Sequence, residues 1–148
     1  MLVPRLVGHW SDDVLYLGSM EDAAVVFRAD GTGWTYWARD GGAFCVDRLS
    51  WRTDGHSRLD LRLHQSLSGT WTVRDSEIPH RVNNRSAQAT NLILTYTIRA
   101  GHDVFGDPAT LLDFDRPVIP GTIGNRFALK HDTQIEDPTI SGTLRRSG

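Results

Sequence analysis

Two titratable residues, Asp47 in AFCVDRLSW and Tyr36 in GWTYWAR, each sit in a run of alternating apolar side chains, and they are the groups best placed for chemistry. A carboxylate held among apolar neighbours must be hydrogen-bonded, hydrated or protonated, because burying it unpaired is costly. Beside a phenol it could act as general acid or base in isomerase or cyclase chemistry, or it could orient the polar end of a bound molecule. The other groupings read as structural. His102-Asp103 and His131-Asp132 are sequence neighbours, which point to opposite faces of a strand, so both pairs fit turns at strand ends. Glu77-x-x-His80 has the spacing of two ligands on one helix face, but Pro79 breaks such a helix. Asp113-x-Asp115 is followed by Arg116-Pro117 and reads as a strand end facing water. Cys45 has neither a nucleophile-elbow motif nor an assigned histidine partner, and it reads as a packed core thiol. No catalytic residue, metal ligand or cofactor is assigned from these residues.

The elements that would position Asp47 and Tyr36 are strands. Most of the chain alternates with period two, and its punctuation is Asp-Gly, Gly-Gly and Ser-Gly rather than helix caps. Nine segments read as strands: LVGHW, AAVVFRA, GWTYWAR, AFCVDRLSWRT, SRLDLRLHQSL, TWTVR, NLILTYTIRA, TLLDFD and NRFALKH. A weaker one lies at TISGTL. Eight to ten strands with short connections predict an all-β, antiparallel up-and-down barrel, with an open sandwich as the competing architecture. The segment SDDVLYLGSMEDA could hold a short helix capped by Ser11. Residues 75 to 91 lack periodicity and are expected to be a long loop or flap.

A register follows from the turns. Placing Asp30-Gly31, or Ala29 to Thr32, at the first turn sets Phe27 opposite Trp34 and Val25 opposite Tyr36. Val25, Phe27, Trp34, Tyr36 and Ala38 then share the inner face, and Trp37 lies outside with Arg28 and Arg39. An even loop at Gly41-Gly42 pairs Tyr36 with Asp47, giving an inner row of Cys45, Asp47, Leu49 and Trp51. Leu59, Leu61 and Leu63 join that face if the loop around Asp54-Gly55-His56 has odd length. The expected ligand-binding set is therefore Phe27, Trp34, Tyr36, Asp47 and Leu63.

Composition narrows the function classes. A chain of 148 residues with 39% hydrophobic and 23% charged content fits one globular domain, with a core over about residues 6 to 131 and a tail over 132–148. Its 16 basic and 18 acidic residues are interspersed and sum to a charge of −2, which offers no footprint for nucleic acid or an anionic membrane. The opening MLVPRLV, interrupted by Pro4 and Arg5, is too short for the apolar centre of a signal peptide, and no run approaches the ~18 apolar residues of a spanning helix. With Cys45 as its one cysteine, the chain has no internal disulfide and is expected to be cytoplasmic.

The G-x-W of Gly8-His9-Trp10 on the first strand, together with the F-x-x-DG-x-G-W turn from Phe27 to Trp34, resembles the lipocalin signature and the wider calycin group of barrels. The lack of a signal peptide and disulfide makes the chain more similar to bacterial lipocalin-like domains. The resemblance implies a barrel closed between its first and last strands. It also implies that Trp10 packs across the closed end under Arg126, Lys130 or Arg145. A haem-binding nitrobindin-type barrel is a second relative, with His131 as the late histidine available as axial ligand. The glycine-rich continuation after its G-x-W is replaced here by Ser11-Asp12-Asp13. Three readings result. The first is binding of a small apolar or aromatic molecule in the barrel; the second is an enzyme using Asp47 and Tyr36 in the same cavity. The third is a filled barrel acting as a structural or homodimerising domain through Trp37 and its edge strands.

Overall fold

In the computed structural model, the described residues are 4–13, 15–16, 21–73, 77–119, 124–131, 138–141 and 143–145. Nine strands run β1 (Gly8–Ser11), β2 (Glu21–Phe27), β3 (Thr32–Arg39), β4 (Ala43–Thr53), β5 (Arg58–Trp71), β6 (Glu77–His102), β7 (Pro108–Phe114), β8 (Arg126–His131) and β9 (Thr143–Arg145). A one-turn helix, α1 (Pro138–Ser141), precedes the last of them. All pairings are antiparallel. The first eight strands follow one another in space, and β1 pairs with β8 through Trp10 and Leu129, so the sheet closes in a barrel-like ring. The short β9 lies against the start of β6.

The ring closes with a large stagger. Partners followed outward from Arg99 run Leu111, Ala128, Ser11, Ala24, Tyr36, Val46, Leu67 and Arg85. That path returns to β6 fourteen residues upstream (99 − 85). Such a stagger tilts the strands steeply against the ring axis. It also explains the length of β6, whose first part pairs with β5 and whose last part, from Tyr96 onward, pairs with β7.

Residues 77–91, expected to be a flap, are the first part of this strand. Their alternation is hidden for two reasons. They are mostly solvent-exposed, so neither face demands apolar residues, and register shifts opposite Leu63/Gln65 and Ser68/Gly69 interrupt the period. The segment TWTVR is not a separate strand, since its first residues complete β5, and TISGTL divides between α1 and β9. Of the helix expected over 11–23, Ser11 belongs to β1 and residues 21–23 to β2, while 14 and 17–20 lie outside the described residues.

The turns set which side chains face inward. Arg28 and Thr32 close the first hairpin, with Arg28 N–H donating to the Thr32 carbonyl at 2.8 Å, so the loop is the three residues Ala29-Asp30-Gly31. Gly31, at φ 87°, takes the left-handed position of such a loop, and the Trp51 indole donates to the carbonyls of Arg28 and Thr32 from below. Phe27 therefore faces Gly33, and Trp34 faces Val26. The second loop, Asp40-Gly41-Gly42, is also three residues, with both glycines at positive φ.

Each turn differs by one residue from the expected register, and the two differences cancel at β4. Cys45, Asp47, Leu49 and Trp51 face inward as expected, whereas β3 between them is reversed, with Trp34, Tyr36 and Ala38 outside and Thr35 and Trp37 inside. The odd parity of the third loop is as expected, so Leu59, Leu61 and Leu63 face the interior.

Candidate functional site

The inward face divides into a filled half and a polar half. In the filled half Trp10, Phe27, Trp51, Phe114 and Phe127 pack with Leu6, Val118 and Ile119. Phe27 meets Trp51 edge-on at 5.2 Å, and Trp10 donates its indole N–H to the Leu6 carbonyl at 2.9 Å. Trp10 is fully buried. Two of the basic residues expected to stack on it are engaged elsewhere, Arg126 with Asp113 at 2.6 Å and Lys130 with Asp13. The side chains of Arg145 and of His131, the expected haem ligand, lie outside the described residues.

The polar half begins on the same strands. Cross-strand partners from β1 to β6 run Trp10, Val25, Thr35, Asp47, Ser66 and Ser86, changing from large and apolar to small and polar. The adjacent inward row is Trp37, Cys45, Ser68 and Asn84. Asp47 is 7% exposed and Thr35 2%. Cys45, Ser66, Ser68 and Gln88 are half-buried, and Ser86 and Asn84 are exposed at the rim. The wall therefore grades from the core to solvent.

At its centre the Gln88 amide donates to Asp47 Oδ1 at 2.9 Å. Cys45 Sγ lies 3.6 Å from Ser66 Oγ. Burial, with the nearby Asp47 charge adding to it, pushes the Cys45 thiol up against the pull of that hydroxyl, so it is held as the thiol. Trp37 Nε1 is buried with no hydrogen-bond partner among the described residues, while the Arg39 guanidinium lies over its ring at 5.9 Å. An unpaired buried donor costs free energy comparable to a lost hydrogen bond, and Trp37 belongs to the inward row next to that of Asp47.

Of the five residues expected to line one cavity, Phe27, Asp47 and Leu63 do face the interior. Trp34 and Tyr36 do not. They belong to an outer cluster with Val26, Ala38, Phe44 and Val46, because the three-residue turn at Ala29-Asp30-Gly31 reverses β3. Asp47 and Tyr36 point to opposite sides of the sheet, so no single cavity is lined by both.

The outer cluster has its own polar pair. Tyr36 Oη lies 2.7 Å from His80 Nε2, and His80 Nδ1 lies 2.8 Å from the Ile78 carbonyl. The carbonyl can only accept, so Nδ1 carries the proton, Nε2 accepts, and the Tyr36 hydroxyl donates. Burial raises the Tyr36 hydroxyl well above its usual range, with the Asp22 charge adding to the effect, and burial lowers His80. Both groups are therefore held neutral. That suits a tie between β3 and β6 and is the wrong direction for an activated phenol.

Sequence reasoning missed Trp37, Gln88, Thr35 and Ser66. For Trp37 and Thr35 the missing signal is the turn length, which Asp-Gly and Gly-Gly pairs leave open between two, three and four residues. Gln88 sits where β6 departs from regular pairing, so period-two counting cannot place it.

Elsewhere, a groove of about 410 Å³ on the outer face is lined by residues including Ser50, Arg52, Asp60, Arg62, Asn91 and Ile93. It lies on the other side of the sheet from Asp47, and its carboxylate, Asp60, is already paired with Arg58 at 2.8 Å. Among the described residues no three His, Cys, Asp or Glu side chains are placed to hold a metal, and no helix is long and apolar enough to cross a membrane. Compared with protein-family models, with curated proteins and with solved structures, the chain has no match in any of the three.

Proposed function

We propose that this chain is a lipocalin-like up-and-down barrel that binds a small molecule with an apolar or aromatic body inside the ring, at the polar half of its inner wall. The observation that carries this reading is the constellation around Asp47. A buried carboxylate, an unpaired buried indole N–H on Trp37 and accessible small side chains at Cys45, Ser66 and Ser68 adjoin the apolar residues Phe27, Leu49 and Leu63. Ligand sites combine a mostly apolar lining with a few placed polar groups, and a filled core would do better with none. Phe27 and Leu63 form the packed apolar floor beneath this wall, while Asp47 and Trp37 orient the polar end of the ligand. Trp10 closes the base without touching the ligand.

Heteronuclear NMR with a panel of aromatic acids, alcohols and amines tests this. Binding shifts the Trp37 indole N–H resonance, assigned through Trp37→Phe, while the indole resonance of Trp10 stays in place. A panel that moves no Trp37 resonance at millimolar concentration refutes the reading.

A further inference from the structure

We infer that the molecule held at this wall carries a positively charged amine, recognised by the Asp47 carboxylate; the inference rests on the interior-binding reading above. Buried carboxylates in folded proteins are paired with a cation or saturated with hydrogen bonds, because leaving the charge uncompensated is costly. Among the described residues Asp47 has no cationic partner, and the hydrogen bond it accepts comes from the neutral amide of Gln88.

The groups around it are neutral too. Its cross-strand partners are Thr35 and Ser66, and its neighbours along the inward row are Cys45, held as the thiol, and Leu49. The adjacent Arg48 points to the opposite face, where it donates to Gln65 at 3.0 Å and to Thr139 at 2.8 Å. Arg39, on the inward face of β3, is exposed and lies over Trp37. Among the described residues, the wall thus presents one buried carboxylate with no cationic side chain paired to it.

A primary ammonium group supplies what is missing. It has three N–H donors and a full positive charge, and it is small enough to approach a carboxylate flanked by hydroxyls. A carboxylic acid at the same place would set like charges together, and an alcohol would supply one hydrogen bond without the charge. An ether or carbonyl oxygen further along the ligand would accept from Trp37 Nε1–H, whereas a hydrocarbon body would leave that donor unpaired. The ligand class is therefore an apolar or aromatic amine, with added affinity where it also carries an acceptor.

A matched series with one body separates the possibilities: 3-phenylpropylamine, 3-phenylpropanol and 3-phenylpropanoate, titrated by calorimetry with the Trp37 indole resonance followed in parallel. In the native protein the amine binds about tenfold or more tighter than the alcohol, and the carboxylate binds weakest. Asp47→Asn keeps an oxygen for the Gln88 amide and brings amine and alcohol to within about twofold of each other. Equal binding of amine and alcohol to the native protein overturns the inference and leaves interior binding standing. So does an amine preference that survives Asp47→Asn. If none of the three, nor the wider panel, shifts the Trp37 resonance, interior binding falls and the amine assignment falls with it.

Discussion

Replacing Tyr36 by Phe removes one hydroxyl from the outer cluster and leaves the acceptor Nε2 of His80, a residue only 6% exposed, without its donor. A neutral hydrogen bond contributes about 1 kcal/mol net, and a buried acceptor left unpaired costs roughly 1–3 kcal/mol. Tyr36 is half-buried, so water can reach part of the vacated space, which places the expected loss at about 1–2 kcal/mol. With a urea dependence of about 1–3 kcal/mol per molar for small domains, the unfolding midpoint at pH 7.5 falls by roughly 0.5–1 M.

The pH dependence gives a sharper check. Burial depresses His80 in the folded protein, so below the ordinary histidine value of 6.5 the unfolded chain takes up a proton that the native state resists. Stability from this group is present above pH 6.5 and is lost as pH falls toward the folded value. Without the Tyr36 hydroxyl on Nε2, His80 protonates more readily in the native state. The cost of Tyr36→Phe is therefore smaller at pH 5.5 than at pH 7.5. A double-mutant cycle with His80→Leu should return a coupling of about 1 kcal/mol. An unchanged midpoint, or a cost that grows on acidification, refutes the assignment of Tyr36 as donor and His80 as buried acceptor.

Gly33→Ala and Gly69→Ala should each lose at least about 2–3 kcal/mol in urea unfolding or fail to fold, because a Cβ would stand 2.1 Å from the Val26 carbonyl oxygen and 1.8 Å from that of Arg81. Gly124, with nothing within 4 Å of its Cβ position, should accept alanine within about 0.5 kcal/mol, and equal effects at all three positions would defeat the close-packing argument. Burial, reinforced by Asp22 and Asp13 against the Ala23 N–H, raises Asp12 from 3.8 to about 6, so its contribution to stability is present below pH 3.8 and is lost as pH rises through about 6. Asp12→Asn, which keeps an acceptor for Ala23, should thus raise thermal stability at pH 7 and not at pH 3.5. The shift sets a ceiling of roughly 3 kcal/mol, reduced to about 1 kcal/mol for a carboxyl that still meets solvent; equal effects at both pH values would contradict it. Cys45, half-buried and raised by burial, should react with a disulfide reagent at pH 8 at least tenfold more slowly in the native protein than in urea, and equal rates would show an open thiol.

Strand content, antiparallel order and closure were legible in the sequence because they depend on period-two patterning and short turns, which are local. The inward row Cys45, Asp47, Leu49 and Trp51 was legible as well, although through two turn errors that cancel. Loop parity decides the face of every side chain on the next strand, and it depends on contacts made from a distance. The three-residue loop after Arg28 is held by the Trp51 indole from β4, a partner that no reading of residues 27–37 alone can supply. For the same reason the sequence pattern points Trp34 and Tyr36 inward and Trp37 outward, the reverse of the structure. The first part of β6 was illegible for a different reason: strand pattern is a record of burial, and a stretch that is mostly exposed and interrupted by register shifts leaves little of it. The local chain thus determined that Asp47 shares a strand face with Leu49 and Trp51, whereas tertiary packing alone decided that this face turns inward, that Gln88, forty-one residues away, donates to Asp47 and that Tyr36 does not.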